Sequence, residues 1–427
     1  METEHTELLV LGSGPAGYYC ALQAARAGFR TALAEKAELG GTGFRWGCLP
    51  VKMGLDAQRQ GRPALPSPIR LRKVEGRLEE GLRAAGVALL AGEASFLDAH
   101  TLAVGARRVS AQTVVIATGS RPAAPPGLTL DGRRVLSHAD LVRQSRVPRS
   151  AAIVGADVEG VELACLLAGL GARVHLLEQE AEILPGQDRD LAGPVQAALE
   201  GLGVRLHLGT RVVSARPAAR GAVVSLADGR ELAVERVLAT GLRAPNLPGG
   251  LAEAGVVCDA ARIPVDGHFR TSVSHIYAIG DVNGVCGMAH AAIQQGLLLP
   301  GPLRGAPAAP ADFPSPPRAL FTVPEIAGAG LQERELQARG LPFRAATVQL
   351  ADTWRGLSHG LREGFLKALA APDGRLLGIW VCAENASELA APYGALLARG
   401  ATVEEVRRSL FIHPTLAEAL LEAVRLL

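Results

Sequence analysis

An α/β fold is predicted, with two doubly wound parallel-sheet domains followed by a smaller α+β domain, and three observations carry it. Residues 8–11 form a short apolar strand that feeds Gly12-Ser13-Gly14-Pro15-Ala16-Gly17, then an Ala-rich helical run over 18–27 and a returning strand over 31–34 that ends in Glu35. A second strand begins at 151–154, passes Gly155 into a helix over 158–170, and returns over 174–177 to end at Glu178. The stretch 301–317 is rich in Pro, Ala and Gly and reads as a linker. Beyond it, strand-like runs at 364–369 and 376–381 alternate with a helical run at 384–397.

Each βαβ unit has a physical reason to hold a nucleotide. In the first, Gly12, Gly14 and Gly17 permit a tight turn and let phosphate approach backbone N–H groups at the positive end of a helix. Glu35, at the end of the second strand, is placed to accept a hydrogen bond from a ribose hydroxyl. Glycine-rich loops also occur as mere turns, but strand, helix, second strand and terminal acid agree here, which makes a Rossmann-like nucleotide site the stronger reading. The second motif reads Gly155-Ala156-Asp157-Val158-Glu159-Gly160. Asp157 replaces the middle glycine, and a carboxylate there adds bulk and repels pyrophosphate. Glu178 favours the free ribose hydroxyls of NAD over the 2′-phosphate of NADP.

Composition narrows the class. The chain has 427 residues, too many for one core, with 48% hydrophobic and 20% charged residues and a formal net charge of +2. That balance argues against disorder, and against nucleic acid or a membrane surface as partner. No uncharged apolar run reaches the roughly 18–20 residues that span a bilayer. The first 20 residues are unlike a signal peptide, so a cytoplasmic location is expected. The six cysteines form no C-x-x-C pair, and neither a disulfide framework nor a metal site is expected.

The run Gly40-Gly41-Thr42-Gly43-Phe44-Arg45-Trp46-Gly47-Cys48-Leu49-Pro50-Val51-Lys52 resembles the active-site segment of the class I pyridine nucleotide-disulfide oxidoreductases, most nearly dihydrolipoamide dehydrogenase and mercuric reductase. In that family it reads G-G-T-C-x-x-x-G-C-x-P-S-K. Further matches are Ala117-Thr118-Gly119, Tyr277-Ala278-Ile279-Gly280-Asp281, Ala289-His290-Ala291, Thr322-Val323-Pro324-Glu325 and His413-Pro414-Thr415-Leu416-Ala417-Glu418. The resemblance implies FAD held by Gly12, Gly14, Gly17, Glu35, Lys36, Gly41, Thr42, Lys52, Thr118, Gly119, Asp281 and Ala289, with Asp281 on the ribityl chain. It implies NAD(P)H, with NADH preferred, at Gly155, Gly160, Glu178 and Gly241, and Arg243 matches a nucleotide-domain segment. Lys52 and Glu162 are implied as an ion pair beside the reactive flavin nitrogen. His413, oriented by Glu418, is implied as the acid/base that completes the neighbouring subunit's site in a homodimer. The implied domains are an FAD domain over 1–148 and 265–316, an NAD(P) domain over 149–264 inserted in it, and a dimerisation domain over 317–427.

The sequence departs from the family at Gly43, which stands where the substrate-exchanging cysteine belongs and leaves Cys48 as a single thiol. A dithiol relay needs two sulfurs in bonding reach. Cys48, at a helix start, is expected either to have a lowered pKa and react singly or to be a relic. Cys286 is a candidate relocated thiol, against the plainer reading of a buried core cysteine. Phe44, Arg45 and Trp46 either crowd the substrate channel or pack against the flavin domain. Residues 59–72 are expected to be a surface loop, and the segment from Lys52 to Gly92 is shorter than the family's helical hairpin. The leading expectation is therefore an oxidoreductase that moves electrons from NADH through FAD to a small acceptor such as a quinone, a dye or dioxygen. A true dihydrolipoyl dehydrogenase, a single-thiol peroxidase or mixed-disulfide reductase, and a non-catalytic flavin-binding or regulatory subunit remain the alternatives.

Overall fold

The structure is a computed structural model that describes residues 3–65, 67–144, 146–306, 313 and 316–427. Residues 307–312, 314 and 315 of the expected linker lie outside the described residues, and its start falls in the short helix Pro300–Leu303.

The first sheet follows the expected βαβ unit, with the strand Thr3–Leu11 between Thr31–Glu35 and Arg107–Ile116, both parallel to it. Ala88–Ala91 extends one side, and Ile276–Ala278 returns from far along the chain to pair with Arg107–Ile116. Leu9, Leu11, Val114 and Ile116 bury one face, while Leu8, Val10 and Val115 bury the other, which is why the central strands are apolar without alternation. The helix Pro15–Arg26 starts with proline in its first turn, where the missing N–H costs nothing.

The second sheet is all parallel, in the order Arg205–His207, Arg173–Leu177, Ser150–Val154, Arg236–Ala239 and Val135–Leu136. Val135 and Leu136 thus join this sheet although they lie ahead of residue 149. Leu251, Ala254, Val256 and Ile263, ahead of residue 265, pack into the core of the first sheet. The helix Val158–Gly169 carries an almost entirely buried run and packs against the Cys48–Arg59 helix, which joins the two nucleotide units.

The C-terminal unit is a five-stranded antiparallel sheet in the order Arg318–Leu320, Glu325–Gly330, Leu376–Ala383, Phe365–Ala370 and Arg344–Gln349. The helices Ala386–Ala398 and Ala419–Leu426 supply buried residues to its core. Two expectations change. Residues 59–72 are not one loop, because Pro68–Ala84 is a helix whose N-cap Ser67 accepts a hydrogen bond from the Arg70 N–H at 3.3 Å. It packs against the Pro15–Arg26 helix. The helical run expected from 384 begins at Ala386.

Candidate active site

The first glycine turn, the Gly41–Lys52 segment and the second glycine helix meet around one cavity of about 930 Å³. Gly12 adopts φ +100°, and a Cβ there would meet the Ala117 carbonyl at 2.6 Å; one on Gly17 would meet the Gly12 carbonyl at 1.9 Å. These contacts explain the two glycines, whereas Gly14 has nothing within 4 Å of such a Cβ and opens to the cavity. The Glu35 carboxylate accepts from the Ser13 N–H at 2.9 Å and the Ser13 hydroxyl at 2.6 Å, which fixes it at the cavity edge. Thr118 Oγ1 is buried with no hydrogen-bond partner among the described residues, although its residue lines the cavity. A cavity of this size with a glycine cradle, a ribose-facing acid and an orphaned hydroxyl fits FAD.

At the inner end, Lys52 Nζ and Glu162 Oε2 form an ion pair at 2.5 Å, with Glu162 only 3% exposed. The Phe321 N–H of the C-terminal unit donates to Glu162 Oε1 at 3.0 Å, and Lys52 lies 4.8 Å over the Phe321 ring. The pair is therefore set by three segments of the chain. Asp281 accepts from the Ser120 hydroxyl at 2.5 Å and has Arg243 Nε at 3.9 Å. Arg243 also donates to Ser120 Oγ at 2.7 Å and Thr42 Oγ1 at 3.2 Å, so it belongs to the flavin cavity rather than to a nucleotide-domain edge. Lys36 pairs with exposed Glu93 at 2.7 Å on the rim, and Gly41, Gly119 and Ala289 line the same cavity.

Cys48 is the first residue of its helix and its thiol opens into the cavity. Of the two readings left open for it, a lowered pKa with single-thiol reactivity or a relic, the lowered pKa is not found. Enclosure by the cavity walls pushes the thiol up, Lys52 and Arg243 oppose this, and Glu162 and Asp281 add to it. Cys286 is buried and does not line the cavity, in keeping with the plainer reading. Cys20, Cys165 and Cys382 are also buried, and Cys258 is exposed.

Gly43 is buried in a widened turn over Thr42–Trp46, and a Cβ at this position would meet Pro15 Cγ at 2.4 Å. The proline ring thus occupies the space of the side chain that the relay would need. Overpacking of this kind costs about 1–3 kcal/mol. Gly43→Cys is accordingly expected to lower the thermal midpoint without forming a bond to Cys48, as thiol titration of the folded and denatured protein would show. A fully stable, spontaneously oxidised variant would overturn this account. Phe44 packs edge-on against Tyr18 at 6.0 Å, and Arg45 pairs with Glu75 at 2.8 Å, so both lean on the flavin domain. Trp46 instead lines the cavity, with the Arg143 guanidinium 4.1 Å from its ring centre.

The second glycine motif repeats the geometry of the first at its acid. Glu178 accepts from the Ala156 N–H at 2.7 Å and the Glu180 N–H at 3.0 Å. Gly160 is again required, since a Cβ would meet the Gly155 carbonyl at 1.8 Å. Asp157, however, caps the helix by accepting from the Gly160 N–H at 3.1 Å, and its Oδ2 would stand 2.6 Å from a Cβ on Gly241. Burial pushes its carboxyl up, the Gly160 N–H opposes this, and Glu159 and Glu178 add to it. The ribose end of this site therefore fits a pyridine nucleotide, while its phosphate end carries a carboxylate.

His413 Nδ1 lies 3.0 Å from Glu418 Oε1. The Thr415 N–H, at 2.7 Å, holds the Glu418 carboxyl below the usual range, and the His413 contact adds to the effect. His413 is exposed, and no residue of the C-terminal unit lines the cavity of its own chain. Among the cavity residues without a sequence signal are Ser120, His138, Arg143 and Glu159, none of which lies at a position where a motif requires its residue type. Among the described residues, no helix is long and apolar enough to cross a membrane.

A cavity shaped for a dinucleotide, ending at a buried lysine–glutamate pair and one thiol, defines a flavin-dependent oxidoreductase. Residues 6–296 match the pyridine nucleotide-disulphide oxidoreductase family, and residues 316–424 match the dimerisation domain of that family. Dihydrolipoyl dehydrogenase 2 of Haloarcula marismortui is 33% identical over 461 aligned positions that cover 99% of this chain and 96% of that protein. The dihydrolipoyl dehydrogenase of Pseudomonas aeruginosa is also 33% identical, with 98% and 96% covered. Among solved structures, the HOCl-induced flavoprotein disulfide reductase RclA of Escherichia coli superposes with a TM-score of 0.89 at 25% identity, over 98% of this chain and 99% of that one. LpdA of Mycobacterium tuberculosis gives 0.89 at 27% identity, with the same coverage. The chain belongs to the pyridine nucleotide-disulphide oxidoreductase family. It is an FAD-dependent NAD(P)H oxidoreductase similar to dihydrolipoyl dehydrogenase.

Proposed function

We propose that this chain takes electrons from NADH and delivers them through FAD to a small acceptor such as a quinone, a dye or dioxygen, without a dithiol relay. The observation that carries this reading is the Pro15 ring packed where a side chain on residue 43 would lie. FAD, when bound, supplies the two-electron relay between donor and acceptor. Gly12, Gly14 and Gly17 admit its phosphates, Glu35 and Lys36 its adenosine end, and Gly41, Thr42, Thr118, Gly119, Asp281 and Ala289 the remainder. Lys52, braced by Glu162, places a cation at the redox end. Gly155, Gly160, Gly241 and Glu178 form the NADH site, and the acid favours NADH over NADPH.

In this reading Cys48 is a single thiol in the cavity wall, and the His413–Glu418 pair reaches the partner's cavity in a two-fold homodimer, which accounts for its exposure. The domains run over 1–148 with 265–316, 149–264, and 317–427, save that Val135–Leu136 goes with the second and residues 251–263 with the first, and the protein works in the cytoplasm. The test is an anaerobic titration of the purified protein with NADH and with NADPH, followed by flavin absorbance. Bleaching by NADH at lower concentration than by NADPH is expected. A yellow protein unresponsive to both would overturn the reading and direct attention to another reductant or a partner protein.

A further inference from the structure

The cavity wall holds a second histidine–carboxylate pair, unrelated to His413 and Glu418. His138 opens the short helix His138–Gln144, is 3% exposed, and places Nδ1 2.6 Å from Glu159 Oε1. Glu159 lies one turn before Glu162 on the second glycine helix, and both members of the pair line the flavin cavity. His138 Nε2 points the other way, toward the backbone beside Cys48, and would stand 3.4 Å from a Cβ on Gly47. An imidazole held through Nδ1 by a carboxylate has a fixed ring orientation and offers Nε2 alone for proton exchange. Burial pushes the Glu159 carboxyl up, but the His138 contact, Arg243 and Lys52 outweigh it and hold the group below the usual range.

We propose that His138, oriented by Glu159, is the proton donor to a quinone-type carbonyl acceptor reduced in this cavity. The assignment rests on the proposed acceptor reduction without a dithiol relay. The surroundings select this acceptor class. Lys52 and Arg243 stand in the cavity wall beside their carboxylates Glu162 and Asp281, and Arg143 lies over the Trp46 ring, so donors to an acceptor oxygen that becomes negative are at hand. In the step, the ring, carrying a proton on each nitrogen with Nδ1–H on Glu159, gives up its Nε2 proton as an O–H bond forms on the acceptor, and is left as the neutral imidazole. The hydride that accompanies it is the one that the NAD(P)H oxidoreductase activity supplies, so quinone plus hydride plus proton gives hydroquinone. The imidazole then recovers its proton from water. A brace between two helices would need only the Nδ1 contact, whereas His138 and Glu159 both also line the cavity that Gly47 and Cys48 line.

The test uses the flavin-loaded full-length protein reduced with dithionite, which removes any dependence on the nucleotide site. It is mixed with 1,4-benzoquinone, and separately with ferricyanide, which takes electrons without a proton. In His138→Gln the ratio of the quinone rate to the ferricyanide rate is expected to fall by about 10²-fold, at the lower end for a positioned proton donor. The fall should be smaller in Glu159→Gln, and the pH dependence of the quinone rate should flatten in His138→Gln. That dependence is read against the other charged groups facing the pair, which are Lys52, Cys48, Arg143, Asp157, Glu162, Arg243 and Asp281. As a readout apart from turnover, the oxidised protein should bind phenol, a mimic of the hydroquinone, and lose this binding in His138→Gln. An unchanged ratio with an unchanged pH profile would overturn the assignment. Reduced flavin that passes electrons to neither acceptor would instead overturn the proposed function on which it rests.

Discussion

Lys367→Met is expected to destabilise the protein by about 3–5 kcal/mol, the range for removing one partner of a buried ion pair. Lys367 is 1% exposed and its ammonium meets Asp188 at 2.7 Å, Asp190 at 2.8 Å and Glu333 at 3.0 Å. Asp188 is itself buried and also accepts from the Glu333 and Arg334 N–H groups at 3.1 and 2.9 Å. One lysine thus ties the second nucleotide unit to the C-terminal unit, and methionine would leave three carboxylates facing each other without a cation. Burial alone would lower the lysine pKa, but the three carboxylates outweigh it and raise it. The stabilisation is therefore complete below the unfolded lysine pKa of about 10.4 and is lost only as pH rises through the still higher folded value. Denaturant unfolding, read separately in the nucleotide units and the C-terminal unit, should show the two uncoupling in the variant. A shift smaller than about 1 kcal/mol would mean that the units are held by apolar packing instead, which lies in the ordinary range of surface substitutions.

The sequence made the nucleotide units legible because their strands are apolar throughout and their turns need glycine for contacts as short as those at Gly12, Gly17 and Gly160. It made the flavin side legible as well, since Lys52, Glu162, Thr118 and Asp281 all fall at the cavity through motif position alone. What it could not show was contact between distant segments. Arg243 reaches Thr42 from 201 positions away, and the Phe321 N–H holds Glu162 from another unit. The space at residue 43 is closed by Pro15, which as a residue signals only a helix start. The helix from Pro68 is hidden by the prolines ahead of it and by its own arginines, because only three leucines, Leu71, Leu78 and Leu82, mark its buried side. The Cys48 pKa went against expectation for a related reason: enclosure by walls drawn from several segments outweighs a favourable helix start.

Asp157→Gly is expected to tighten NADH binding by about 10–100-fold, and Asp157→Asn to give part of that gain. The carboxylate caps the second glycine helix and leaves its Gly160 N–H satisfied by the protein itself. A pyrophosphate arriving there would lose one donor and face a like charge, and two unit charges about 4 Å apart repel by about 4 kcal/mol at an effective dielectric of 20. Part of that is avoided, because burial, with Glu159 and Glu178, raises the carboxyl's pKa. The sign follows from this shift. Protonation removes the repulsion, so NADH affinity in the native protein should rise as pH falls through the raised Asp157 value, and the dependence should disappear in Asp157→Asn. Replacing a helix-capping aspartate with glycine costs only a few tenths of a kcal/mol, so the variant should fold normally. The measurement is the NADH concentration that half-saturates flavin reduction in stopped flow, across pH, for all three proteins. If the native protein shows no such pH dependence and Asp157→Gly binds no more tightly, the nucleotide phosphates do not approach this helix. Glu178 would then be a structural brace for the Ala156 and Glu180 N–H groups, and the reductant would have to reach the flavin by another face of the cavity.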